Sequence, residues 1–200
     1  MRKHYFFFDI DGTLAAGPIM GRYIPESTKR ALEILKSEGH FLAICTGRLH
    51  AMGEGFMHEL GFQNMVADGG NSLTLDGEFL GIKPLDTQAC IDVIEECERL
   101  GVVWAVSFDD SRRRWTRYAN YDALVHDSYM ETVVDPELDY RSIECFYKVY
   151  VICSPEEEGR IASLSKVPTA RFSPYAVFVE PVDKGEGIKR CMAHLGASIE

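Results

Sequence analysis

The chain has 200 residues, 46% hydrophobic and 26% charged, with 31 acidic residues against 21 Lys and Arg and a formal net charge of −10. That length suits one well-cored domain, or a smaller core with a substantial inserted module. The acidic balance argues against nucleic-acid binding, which rests on clustered Lys and Arg, and no window approaches the ~20 apolar residues of a membrane helix, so no membrane partner is expected either.

Met1 to His4 lead into the aromatic run Tyr5 to Phe8, but Asp9 and Asp11 end it too early for a signal peptide, and the start is read as mature, cytoplasmic protein. A short apolar run closed by a carboxylate predicts a first strand buried on both faces. From Pro25 to Gly39 the chain predicts an amphipathic helix with Thr28, Ala31, Leu32 and Leu35 on one face and Gly39 as its stop. Phe41 to Cys45 predicts a second buried strand, Ala51 to Leu60 a helix, and Met65 to Ala67 a third strand. Strand, helix, strand, helix, strand predicts an α/β core, a parallel sheet covered by helices.

Asp76-Gly77 between Ser72 to Leu75 and Glu78 to Gly81 predicts an antiparallel hairpin. Beyond it lie a predicted helix over Thr87 to Leu100, strands over Val102 to Phe108, Trp115 to Ala119 and Phe146 to Cys153, a helix over Glu156 to Ser165, and a strand over Phe172 to Val179. These antiparallel signals predict an α+β module inserted into the first. Arg112, Arg113, Arg114 and Arg117 follow Asp109-Asp110 and read as a solvated hairpin end, with a role in greeting an anionic substrate as the alternative. A helix over Gly187 to Leu195 predicts the return to the core. The six cysteines show no C-x-x-C pair or zinc spacing and read as buried thiols in a reducing compartment, Cys45 among the core.

Asp9-Ile10-Asp11-Gly12-Thr13 directly follows the first strand, at the carboxyl end where open parallel sheets bind ligands. Alternation in an extended chain turns both carboxylates the same way, an arrangement favoured by a shared cation. Hard oxygen donors point to Mg²⁺, which completes its shell with waters and phosphate. Taken alone, the same string serves equally well as a helix cap or turn. Thr46-Gly47-Arg48 follows the second strand, where a hydroxyl and backbone N–H groups can hold a phosphoryl oxygen or, alternatively, Thr46 caps a helix. Lys184, just before a helix, can neutralise a phosphoryl group, although an isolated lysine is ordinarily a surface residue.

In this order, Phe8 to Leu14, Ile44 to Arg48, Asp68-Gly69-Gly70-Asn71 and Val182 to Gly185 resemble the haloacid dehalogenase superfamily, in its Cof-type sugar-phosphate phosphatase branch with an α/β cap. The resemblance implies a Rossmann-like core over 1–82 and 182–200, with helices on both faces, and a cap over 83–181. It implies Mg²⁺-dependent hydrolysis of a small phosphorylated metabolite. Asp9 is then the nucleophile, Asp11 the acid and base, and Thr46, Gly47 and Lys184 the phosphate ligands. Thr13 supports the loop, Asp9 and Asp11 hold the metal, and Arg48 and Asn71 face the substrate. Family members carry a further acidic motif, G-D-x-x-N-D, after the lysine helix, whereas only Glu186 and Glu200 are acidic here after Lys184. Truncation of a longer protein is the expected reason, because loss of that strand leaves a sheet edge and a helix face uncovered. A phosphomutase and a phosphate-ligand binding protein short of metal carboxylates are the alternative functions.

Overall fold

A computed structural model describes residues 2–18, 21–127 and 129–198, so Glu200, part of the acidic inventory above, lies outside the described residues. In chain order the elements are β1 (Tyr5–Phe8), α1 (Glu26–Ser37), β2 (Phe41–Cys45), α2 (His50–Glu59), β3 (Met65–Ala67), β4 (Ser72–Leu75), β5 (Glu78–Ile82) and α3 (Thr87–Leu100). They continue with β6 (Val103–Ser107), β7 (Arg113–Thr116), α4 (Tyr121–Val125), β8 (Glu131–Val134), β9 (Lys148–Ile152), α5 (Pro155–Glu158), β10 (Thr169–Ser173), β11 (Ala176–Val179) and α6 (Lys184–His194). The chain divides into two compact units, Met1–Ile82 with Asp183–Glu200, and Lys83–Val182. Among the described residues no helix is long and apolar enough to cross a membrane.

The first unit is built on a sheet in the order β1-β2-β3-β4-β5. β1, β2 and β3 run parallel, whereas β4 and β5 are antiparallel additions, so the expected parallel sheet is mixed at one side. The β4–β5 turn places Asp76 at φ 49° and Gly77 at φ 81°, the left-handed pair that closes a tight hairpin in register with strand twist. β2 is buried at all five positions. β1 is only half-buried, contrary to expectation, because it forms an edge of the sheet.

Helices cover both faces. Leu32 and Leu35 of α1 and Met57 of α2 pack with Leu42, Ile44 and Met65 on one face, while Ile188, Cys191 and Leu195, in and just after α6, pack with Phe41, Ala43, Cys45 and Val66 on the other. Of the residues assigned to the inward face of α1, only Leu32 is fully buried and Ala31 is exposed.

α6 meets the turn after β3 backbone to backbone. Gly70 adopts φ 115°, and a Cβ there would overlap the Asp183 carbonyl oxygen; a Cβ on Gly187 would lie 2.7 Å from the Gly70 Cα and 2.5 Å from Val66 Cγ1. Only glycines permit this approach. Beside them, Arg190 donates from Nη1 to the Gly70 carbonyl at 3.1 Å and to that of Asn71 at 3.3 Å, locking the helix to the turn.

The second unit carries a sheet in the order β10-β11-β9-β6-β7-β8, antiparallel except for the β7–β8 pair. α3, capped by the Asp86 side chain and stopped by Gly101 at φ 69°, buries Cys90, Val93, Ile94 and Cys97 against Trp104, Val149, Val151 and Val177. Three sequence expectations are corrected here. The helix expected over Glu156 to Ser165 is the single turn α5 followed by a separate 3-10 turn over Ala162–Lys166. The strand expected over Phe172 to Val179 is the hairpin β10–β11, because Pro174 interrupts the run. Arg114 is fully buried rather than solvated, since it faces inward on β7, pairs with Asp127 at 2.7 Å and lies 4.8 Å from the Tyr121 ring centre. Arg112 and Arg113 are exposed, in keeping with a hairpin end.

The glycine contact yields a stability expectation. Gly187→Ala forces α6 away from the turn and destabilises the protein by about 1–3 kcal/mol, as overpacking does, measured as a lower midpoint in urea with an unchanged slope.

Candidate active site

The chain leaves β1 through a tight loop. Leu14 N–H donates to the Asp9 carbonyl at 3.2 Å, and Thr13 and Ala15 both donate to the Ile10 carbonyl, at 3.3 and 2.9 Å. Gly12 takes φ 79°, a conformation that side chains resist. Ile10 is fully buried and anchors the loop in the core, while Asp9 and Asp11 flank it, half-buried and exposed.

Each carboxylate meets cations from elsewhere in the chain. Asp9 accepts from the Ile10 N–H at 2.8 Å through Oδ1, and its Oδ2 lies 3.0 Å from Lys184 Nζ. Asp11 receives a two-pronged pair from Arg48, Nε to Oδ2 at 2.9 Å and Nη2 to Oδ1 at 2.7 Å. Arg22 also approaches Oδ1, at 2.6 Å from Nε. The Arg48 hydrogen bonds hold the Asp11 carboxyl below its ordinary pKa against the opposing effect of burial, with the charges of Arg48, Arg22 and Lys184 assisting. Three cations around two carboxylates leave one positive charge in excess, which suits an incoming anion.

The loops after β2 and β3 are tied together. Asp68 N–H donates to the Arg48 carbonyl at 2.8 Å, Gly69 N–H to the Thr46 carbonyl at 3.3 Å, and Asp68 Oδ2 accepts from the His50 N–H at 3.0 Å. Asp68 holds φ 50°, a left-handed conformation uncommon outside glycine that Asp tolerates better than most. Thr46 is fully buried, and its hydroxyl oxygen accepts from the Arg48 N–H at 3.1 Å. It is not the cap of α2, whose N-cap is Leu49. Gly47 is exposed at the bend. Lys184 opens α6, whose N-cap Asp183 accepts from the Glu186 N–H at 2.9 Å. Asn71 ends the turn after β3, with its carbonyl under Arg190.

The structure therefore joins Asp9 to Lys184, and Asp11 to Arg48, through direct pairs. Arg48, expected to face a substrate, lies paired on the Asp11 carboxylate. Arg22 went unnoticed in the sequence, because it sits in a loop without periodicity or motif; its place after a D-x-D-x-T string was the available signal. Asp9 and Asp11 offer hard oxygens that fit Mg²⁺, which commonly needs only one or two carboxylates beside phosphate and water. Among the described residues no group of three or more His, Cys, Asp or Glu is placed to hold a metal.

Cys45 lies under this site, and burial pushes its thiol up to about 11 against the opposing charge of Lys184. A thiol held neutral is a poor nucleophile. Five of the six cysteines are buried and Cys145 is half-buried. Iodoacetamide at pH 8 should add one group to the native protein, at Cys145, and six after unfolding, as read by intact mass.

Residues 6–200 match the family model of haloacid dehalogenase-like hydrolases. YkrA of Bacillus subtilis (strain 168), provisionally assigned as a phosphatase, is 24% identical over 98% of this chain and 76% of its own length. The crystal structure of a hypothetical protein from Geobacillus kaustophilus HTA426 aligns with a TM-score of 0.79 at 27% identity, covering 99% of this chain and 77% of that one. A subclass IIB sugar phosphatase of the same superfamily shares the fold, with a TM-score of 0.72 at 21% identity over 98% of this chain and 77% of its own.

Proposed function

Because the chain belongs to the haloacid dehalogenase-like hydrolases, we propose that it is a Mg²⁺-dependent phosphatase that hydrolyses a small phosphate monoester through an aspartyl-phosphate on Asp9. The observation that carries this reading is the Asp9–Lys184 pair at 3.0 Å, at the carboxyl end of β1. Lysine there screens the nucleophile from the anionic phosphate it attacks.

An Asp9 carboxylate oxygen attacks phosphorus as the bond to the leaving alkoxide breaks. Asp11 gives its proton to the departing alkoxide oxygen, so that the alcohol leaves. A water then attacks the phosphorus of the acyl phosphate, Asp11 takes the water proton, and the Asp9 carboxylate leaves. Thr46, Gly47 and Lys184 hold the phosphoryl oxygens. Asp9 and Asp11 would hold Mg²⁺, which when bound would supply charge neutralisation at those oxygens. The two halves ask opposite protonation states of Asp11, and the arginines favour the ionised form that serves the second.

The substrate class we propose is a phosphorylated sugar or similar metabolite. The relationship to a sugar phosphatase fold supports that choice, and the second unit is then the cap that selects among such compounds.

Release of phosphate from p-nitrophenyl phosphate should fall more than about a thousandfold in Asp9→Asn, as nucleophile removal does elsewhere. Chelation with EDTA should abolish release in the parent protein, and added Mg²⁺ should restore it. Full activity in Asp9→Asn sinks the nucleophile assignment, and EDTA-resistant turnover sinks the metal.

A further inference from the structure

Arg22 belongs to the segment that follows the nucleophile loop. That segment is pinched shut by Ala16 and Tyr23, which exchange backbone hydrogen bonds at 2.9 and 3.1 Å. Within it, Arg22 Nη1 donates to the Gly17 carbonyl at 3.2 Å. One end of the guanidinium is thereby fixed to its own loop, and the Nε edge is carried to Asp11.

The contact with Asp11 differs in kind from that of Arg48. Arg48 alone satisfies the two-pronged geometry of a carboxylate, and its guanidinium is held in turn 5.0 Å from the Phe56 ring centre. Arg22 Nε is within 2.6 Å of Oδ1, yet among the described residues the buried Nε makes no formed hydrogen bond. Its side chain is only 15% exposed, so this is not a loose surface ion pair of the kind that contributes little. A second guanidinium set on the oxygen already bonded to Arg48 adds to the charge that keeps Asp11 ionised and also restricts the rotation of its carboxyl group. A group that passes protons must be held within hydrogen-bond reach of the reacting oxygen, and small departures from that geometry cost rate.

We propose that Arg22 is a positioning residue, holding the Asp11 carboxyl group against Arg48 in the orientation from which it transfers a proton to the leaving oxygen. This inference rests on the reading of Asp11 as the acid and base of the phosphatase. It goes beyond that reading in assigning a residue of the post-nucleophile loop to the leaving-group step. Arg22 touches neither substrate nor phosphorus in this role.

The dependence on leaving group tests it. Values of kcat/KM are measured for p-nitrophenyl phosphate, whose phenolate departs with little help, and for phenyl phosphate, which needs a proton. Parent, Arg22→Gln and Arg22→Lys are compared, each checked for an unchanged thermal midpoint. Removing the Arg22 charge frees the Asp11 carboxyl to protonate, which by itself favours the acid. The expected loss in Arg22→Gln, about tenfold greater on phenyl phosphate than on p-nitrophenyl phosphate, therefore reads position and not charge, and is a part of the ~10²–10⁴ that such catalysis supplies. Arg22→Lys, which keeps charge but not the fork, should shift the ratio in the same direction by less, and it carries the test if Arg22→Gln fails to fold. Equal losses on both substrates, or none on either, overturn the inference while leaving the phosphatase standing. Absence of Asp9-dependent turnover in the parent overturns the phosphatase reading, and the role of Arg22 falls with it.

Discussion

The contact between Gly70 and Gly187 decides where Lys184 stands. α6 approaches the turn after β3 so closely that no side chain fits on either partner, and Arg190 fastens the pair through the carbonyls of Gly70 and Asn71. Given that approach, the first residue of α6 is delivered to the carboxyl end of β1, where its ammonium meets Asp9. The apolar face of α6 then continues the same packing, with Ile188 and Cys191 against Ala43 and Cys45. One steric condition thus connects the rear of the sheet to the candidate nucleophile.

Charge at the site is distributed unevenly along the chain. Both carboxylates come from a single loop and Arg22 from the same connection between β1 and α1, whereas Arg48 comes from the loop after β2 and Lys184 from the start of α6. Two carboxylates so near each other in sequence repel unless cations intervene, and the tertiary fold brings two of the three. The half-buried position of the pairs keeps solvent screening partial, so the cations shape the protonation of Asp11 and not merely its location.

What could be read from the sequence follows from the range of the forces involved. β2 and α3 fall on the expected residues because their signals are local: a continuous apolar run for one, and an Asp86 cap with a Gly101 stop for the other. The D-x-D-G-T loop was legible for the same reason, being short and placed straight after a strand. Arg22 and Arg114 were not, since Arg22 lies in an irregular connection that no periodicity or motif marks and Arg114 is defined by a partner from beyond its own strand. Arg114 sits in a row of arginines whose solubility pattern suggests a surface, and only the inward step of β7 and the presence of Asp127 reverse that. The β10–β11 hairpin was hidden in one apolar run, where a single proline separates two strands. β1 was expected to be buried because composition reports hydrophobicity and says nothing of sheet order, which places it at an edge.

The first unit is assembled from two stretches separated by the whole of the second, Lys83–Val182. During synthesis Asp9, Asp11 and both arginines leave the ribosome early, while Lys184 and the glycine that seats it follow only after the intervening unit. A growing chain therefore holds Asp9 without its lysine and one sheet face without its helix until α6 arrives. Docking of α6 must therefore close a loop that contains the whole intervening unit, an entropic cost that is smaller for a compact insert than for an unfolded one of the same length. The order of the chain thus makes the Asp9–Lys184 pair a late contact, formed only after the intervening unit has been made.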